Sequence, residues 1–298
     1  MSFSSAAASA RRAEALGARL PPLMVAAERV AATVAQGVHG RRRVGQGESF
    51  WQFRTFVAGD AVNRIDWRQS AKSDRAYVRE TEWEAAQTVC LWRDGSASMR
   101  WRSRGAAVEK LERAELLLLA LSALLLRGGE RVRLIGPESG AGRGRNGPRS
   151  SGAGALDGMA EALGRDDSDA GLPPNVKLPR HCRVVLIGDF LSPLDEVRAV
   201  VARLAAIPVS GHILQVLDPA EALLPYAGRV RFLGLERDGE TVIPRVESVR
   251  EAYSERLQAQ QQGLADICAA AGFTFSVHRS DHPPETALLG LYNALSVR

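Results

Sequence analysis

Hydrophobic and polar positions fall into two textures, and the change comes near Thr88. From that point short apolar runs alternate with stretches of helical period. Val89 to Trp92 is a run of strand formers. Ala106 to Arg127 then predicts a long helix with a leucine face, stopped by Gly128–Gly129. "RVRLIG" predicts a second strand, and Ala155 to Leu163 a short helix. "CRVVLIGDF" is the strongest strand, with four consecutive apolar residues, as expected where both faces are covered. Leu194 to Ala206 predicts a helix, "GHILQVLD" a strand, residues 230–243 a hairpin, Val246 to Ala271 a long helix, "FTFSVH" a last strand and Glu285 to Leu295 a closing helix.

Upstream the texture is different. The first 36 residues are alanine-rich, with Leu16, Leu20, Leu23, Val30 and Val34 at helical spacing. The stretch "GVHGRRRVGQGESFWQFRTFVAGDAVNRIDWRQSAKSDRAYVRE" mixes glycines, aromatics and charges, as short strands and turns around a compact polar module would. "VAGD" predicts a turn and "RAYVRE" a strand. The expected organisation is a helical segment over 1–36, a module over 37–87 and an α/β domain over 88–298. Alternating strands and helices predict an α/β fold, a doubly wound, mainly parallel Rossmann-like sheet with a small N-terminal helical and β module.

Composition narrows the function classes. Of the 298 residues 45% are hydrophobic and 24% charged, the balance of a globular chain. Leu116 to Leu126 is the longest apolar run and is interrupted by Ser122, well short of the roughly 20 residues that cross a bilayer. "MSFSSAAASARRAEALGARL" lacks the apolar core of a secretory signal. Cys90, Cys182 and Cys268 form neither a zinc pattern nor a disulfide framework, so a reducing cytoplasm is expected. The net charge of +5 arises in the first 80 residues, which hold 13 Arg and Lys against 7 Asp and Glu. Only Lys72, Lys110 and Lys177 of the 39 basic residues are lysine, which fits a GC-rich genome better than selection for phosphate contacts.

The chemistry gathers at "VCLWRDGSASMRW". In a doubly wound sheet ligands bind beyond the carboxyl ends of the strands, and Asp94 and Asp189 both end a predicted strand. Asp94, Ser96 and Ser98 offer an oxygen at every second residue. Oxygen ligands suit a hard cation such as magnesium. Neutral hydroxyls leave such an ion under-neutralised, so it would seek a further carboxylate from outside. Arg93, immediately before Asp94, would pair with a carboxylate and compete with the ion.

"DGSASM" followed by a long helix and then "VVLIGDF" resembles the metal-ion-dependent adhesion site (MIDAS) of von Willebrand factor A (vWA) domains. The stretch from Gly40 to Glu84, with "GD", "RIDW" and "YVRE" in order, and the later "VLDPAEALLPYAGRVRFLGLE" resemble the DUF58 family of bacterial proteins. The resemblance covers roughly residues 37–298. It implies an A-type domain, Mg2+ or Mn2+ held directly by Ser96 and Ser98 and directly or through water by Asp94 and Asp189, and a MoxR-type AAA+ ATPase as partner. A-type domains also supply a threonine from the loop between these segments. Here there is none between Thr88 and Thr241, leaving Ser150 or Ser151 as substitutes.

Other readings compete. Arg54, Arg64, Arg68 and Trp67, with Asp60 and Asp66 among them, form either a surface for a partner or an internal clamp in which an aspartate fixes Arg64 and Trp67 plugs the core. Arg41, Arg42 and Arg43 beside the aromatics offer a nucleic-acid reading, testable by its salt dependence. "GRGRNG" (Gly142 to Gly147) matches a dinucleotide fingerprint, but Pro148 follows where a helix should open. "DDSDAG" predicts a solvated turn. A hydrolase would need a base beside Ser96 or Ser98, and no G-x-S-x-G elbow surrounds them. The leading expectation is a non-enzymatic adaptor that binds an acidic side chain of a partner and links a MoxR-type ATPase to a client protein.

Overall fold

The computed structural model describes residues 25–35, 44–57, 60–82, 87–136, 154–166, 168–235 and 239–296. Chain contacts divide it into two compact units, Gly37–Ala86 and the remainder.

The larger unit is built on five parallel strands: β3 (Thr88–Arg93), β4 (Arg131–Leu134), β5 (Arg183–Gly188), β6 (Ser210–Leu217) and β9 (Phe273–Arg279). Their order is β4-β3-β5-β6-β9, and every pairing is parallel. The chain steps outward from β3 to β4, then returns to the other side of β3 for β5. Strand order therefore reverses between β3 and β5, which is where such a sheet opens a crevice.

The crossovers are α3 (Lys110–Arg127), α4 (Ala155–Arg165), α5 (Leu194–Ala205) and α7 (Arg250–Ala270), and α8 (Pro284–Ser296) closes the chain. Pleating sends alternate strand residues to opposite faces. Cys90, Trp92, Val184, Leu186 and Ile213 pack with Val197, Val201 and Leu204 of α5 and Leu264, Ile267 and Cys268 of α7. Leu91, Val185 and Ile187, fully buried as well, point to the other face. Coverage on both faces explains why β3 and β5 read as continuous apolar runs.

Between β6 and α7 lie a short helix, α6 (Pro219–Leu223), and an antiparallel hairpin of β7 (Val230–Leu233) and β8 (Glu240–Ile243). The hairpin expected over 230–243 is present, whereas α6 has no counterpart in the sequence reading. Helix α3 starts four residues later than its apolar pattern suggests. Ser103 donates its backbone N–H to Asp218 Oδ2 at 2.9 Å, which ties the preceding loop to the end of β6. Upstream, residues 25–35 form α1, with Ala27, Val30, Ala31 and Val34 buried along one face.

The smaller unit pairs β1 (Val44–Thr55) with β2 (Tyr77–Glu82) in an antiparallel ladder with two register shifts. Its strand β1 is a single element of 12 residues, longer than short strands and turns would suggest. Asp66 caps α2 (Trp67–Ser70) by accepting the Gln69 N–H at 2.9 Å.

Candidate metal centre

Strands β3 and β5 are hydrogen-bonded neighbours, so the residues that follow them emerge side by side. Asp94 continues the ladder for one more step, donating its N–H to the Ile187 carbonyl at 2.8 Å. Its carboxylate Oδ1 then accepts two bonds from Ser96, from the backbone N–H at 2.8 Å and from Oγ at 2.6 Å. Ser96 Oγ lies 3.0 Å from Ser98 Oγ. Ser98 in turn donates to Asp189 Oδ2 at 2.6 Å. Asp94, Ser96, Ser98 and Asp189 thus form one connected chain of oxygens at the switch point of the sheet.

Two glycines make room for this packing. A Cβ on Gly188 would stand 2.7 Å from Asp94 Cβ and 3.0 Å from its Oδ2. A Cβ on Gly95 would stand 2.6 Å from the Ser168 carbonyl oxygen. The segment around Ser168 belongs to "DDSDAG", expected as a solvated turn. Asp169 and Ala170 are exposed there, while Ser168 packs behind Gly95 and Gly171 lies near Ser96. Asp189 is fixed from behind. Gln215 Nε2 donates to its carbonyl at 2.8 Å, and the next residue, Phe190, adopts a left-handed φ of 48° with its ring buried near Trp92. A bulky residue in that region of backbone space is strained and is held by its surroundings.

The pocket is electrostatically loaded. Burial first, and the Asp189 carboxylate second, push the Asp94 carboxyl up to about 6. Among the described residues its Oδ2 is buried without a hydrogen-bond partner. A cation also occupies the network. Lys110, the first residue of α3, is fully buried, with Nζ 3.0 Å from Asp189 Oδ2 and 2.5 Å from Glu221 Oε1. Burial alone would lower the Lys110 ammonium, but Asp189 and Glu221 outweigh it and hold it above its ordinary range. Burial pushes the Glu221 carboxyl up, against the pull of Lys110. Asp218 and Glu221 form a reciprocal capping box at the start of α6.

Arg93 pairs with carboxylates, as expected, but with two that lie outside this oxygen chain. The pleat turns it to the α3 face, where its guanidinium lies 3.3 Å from Glu115 Oε1 and 3.3 Å from Asp166 Oδ2. The cation paired with Asp189 is Lys110, from a part of the sequence that carries no motif. Two signals pointed to these residues. "DPAE" has the spacing of a capping box, and Lys110 is one of three lysines in an arginine-rich chain.

The residues fit a hard divalent cation in their donor chemistry, two carboxylates and two hydroxyls. The partnerless Asp94 Oδ2 accords with that fit. Among the described residues no group of three or more His, Cys, Asp or Glu is placed to hold a metal ion, so such a site depends on its serines. Ser150, Ser151, the Arg41 to Arg43 run and the Gly142 to Gly147 loop lie outside the described residues.

In the smaller unit Arg54 forms a two-bond fork with Asp60, both at 2.9 Å. Arg54–Asp60 is one such clamp. Asp66 is occupied as the α2 cap, and the Arg64 side chain is outside the described set. Trp67 does not plug the core. It is 66% exposed, with Arg68 exposed beside it. Among the described residues no helix is long and apolar enough to cross a membrane.

A match to the family described as "Protein of unknown function DUF58" spans residues 52–263. The chain belongs to the DUF58 family. No curated protein matches it. Solved structures are similar too, two of them bacterial proteins. One is an aerotolerance-related membrane protein from Bacteroides fragilis NCTC 9343, at 17% identity over 71% of this chain and 99% of that one, with a TM-score of 0.41. The other is the conserved hypothetical protein BatB from Bacteroides thetaiotaomicron, at 15% identity over 71% of this chain and 98% of that one, with a TM-score of 0.34.

Proposed function

We propose that this DUF58 chain is a non-enzymatic adaptor whose sheet edge docks an acidic side chain of a partner protein, through a MIDAS-type Mg2+ or Mn2+ site in a vWA-like domain. The observation that carries this reading is the meeting of Ser98 and Asp189, 91 positions apart, in one hydrogen-bonded network with Asp94 and Ser96. A divalent ion bound there supplies an open coordination position for a carboxylate oxygen from outside. Asp94 and Asp189 neutralise charge, Ser96 and Ser98 present hydroxyl oxygens, and Gly188 keeps the carboxylates close. Ser150 or Ser151 is the proposed source of a further hydroxyl.

A MoxR-type AAA+ ATPase is the proposed partner, with a client protein as the object of remodelling. Trp67 and Arg68, exposed on the smaller unit, offer it a second contact. Non-enzymatic action accords with His212, whose ring nitrogens are engaged by Thr274 Oγ1 at 2.7 Å and Ser276 Oγ at 2.8 Å. It is thereby occupied away from the serines.

The test combines binding and capture. Millimolar Mg2+ or Mn2+ raises the melting temperature of the full chain by roughly 2 °C, and Asp94→Ala removes the rise. Capture of a MoxR-type AAA+ ATPase weakens in a chelator and in Asp94→Ala. An unchanged melting temperature with both ions defeats the metal part, and capture indifferent to both treatments defeats the docking part.

A further inference from the structure

The most buried charge in the pocket belongs to neither half of the sequence motif. Lys110 has no solvent exposure and lies between carboxylates from two different crossovers, Asp189 after β5 and Glu221 on α6. Glu221 is itself held in place. Its Oε2 accepts the Asp218 backbone N–H at 2.9 Å, which leaves Oε1 for the ammonium. On the other side Asp189 Oδ2 receives both Lys110 Nζ at 3.0 Å and Ser98 Oγ at 2.6 Å. The same oxygen therefore serves a built-in cation and the hydroxyl assigned to a divalent ion. A compact ammonium suits a slot between single oxygens, whereas a guanidinium fork seeks paired acceptors. That preference gives a physical reason for lysine at this position in a chain that otherwise uses arginine.

We propose that Lys110 is the resident counter-ion of the pocket and sets its affinity for divalent cations, an inference that rests on the metal reading above. A divalent ion and the ammonium draw on the same Asp189 charge and repel one another, so loading requires Lys110 to yield Asp189. Glu221 is the second seat that lets it do so. Lys110 is thus a positioning residue for the site, and the wild-type chain binds divalent ions weakly by design of its own side chains.

The experiment titrates the full chain with Mn2+ at fixed ionic strength and reads free Mn2+ by electron paramagnetic resonance. Lys110→Met binds at least about tenfold tighter than wild type, a difference near 1.4 kcal/mol. Lys110→Met leaves two buried carboxylates uncompensated, so the double variant Lys110→Met/Glu221→Gln, which removes one charge of each sign, is measured alongside and also binds more tightly than wild type. Glu221→Gln alone binds more weakly, because Lys110 then has only Asp189. Asp94→Asn added to either lysine variant abolishes the gain. Equal affinity of wild type and both lysine variants overturns the proposal, as does a gain that survives Asp94→Asn or an absence of binding in every variant. The docking reading fails separately: tight Mn2+ binding without partner capture sinks docking and leaves the role of Lys110 intact. Partner capture by a chain that binds no Mn2+ in any variant does the reverse.

Discussion

Two buried cations flank the switch point, and each faces two carboxylates. Arg93 lies against Glu115 and Asp166, and Lys110 against Asp189 and Glu221. The Arg93 cluster is a closed clamp. Its guanidinium also donates to the Leu163 and Asp166 carbonyls, both at 3.2 Å, and so joins β3 to α3 and to the end of α4. The Lys110 cluster is open-ended, because Asp189 is shared with Ser98 and leads on to the partnerless oxygen of Asp94. The same pairing rule therefore gives structure on one side of β3 and an exchangeable occupant on the other. What separates them is the kind of second client: Asp166 Oδ1 also accepts the Ser168 backbone N–H at 3.1 Å, whereas Asp189 Oδ2 is shared with a serine hydroxyl of the oxygen chain.

The largest effect expected from breaking this contrast is at the clamp. Arg93→Met leaves Glu115 and Asp166 without their shared cation and destabilises the chain by about 3–5 kcal/mol in denaturant unfolding, with no rescue by Mn2+. A loss under about 1 kcal/mol, or rescue by the ion, would erase the distinction between the two clusters.

A smaller effect separates them by pH. The Asp94 carboxyl sits at about 6 in the folded chain against 3.8 as its ordinary value. A raised acid binds more protons when folded, so its contribution favours folding below pH 3.8 and is lost as pH rises through 6. The loss amounts to roughly 3 kcal/mol in the metal-free chain. His212 and His278, both held down to about 4 chiefly by burial, tilt the profile the opposite way, since their neutral forms favour folding above pH 6.5 and lose that advantage as pH falls toward 4. Comparing wild type with Asp94→Asn at pH 5 and pH 8 cancels the histidines. The variant gains in relative stability at the higher pH, and a difference that stays constant refutes the burial and the Asp189 repulsion that raise the Asp94 carboxyl.

The smallest effect sharpens the geometry. Gly188→Ala places a methyl group against Asp94 and lowers stability by about 1–3 kcal/mol. It also weakens Mn2+ binding while leaving the Arg93 clamp unchanged. Normal ion affinity in this variant would show that the closeness of Asp94 to β5 is incidental.

The strands, their parallel order and the Asp94–Asp189 meeting were legible because doubly covered strands carry unbroken apolar runs and because ligands gather at their carboxyl ends. Lys110 and Glu221 were not legible as a pair. One opens a helix and the other sits in a five-residue helix, and nothing in local periodicity states that a side chain will reach across a crevice. That Arg93 would pair with a carboxylate was legible, but not which one, because the pleat separates it from its neighbour Asp94. The segment around Ser168 looked solvated from its polar composition, yet its place depends on Gly95 having no side chain.

The left-handed turn at Phe190 links the rim of the pocket to the interior. With the ring sunk beside Trp92, the peptide that carries Asp189 cannot swing without withdrawing an aromatic group from among its neighbours. Whatever reaches this edge of the molecule therefore meets an acid on a stiff mount, and any yielding must come from the lysine.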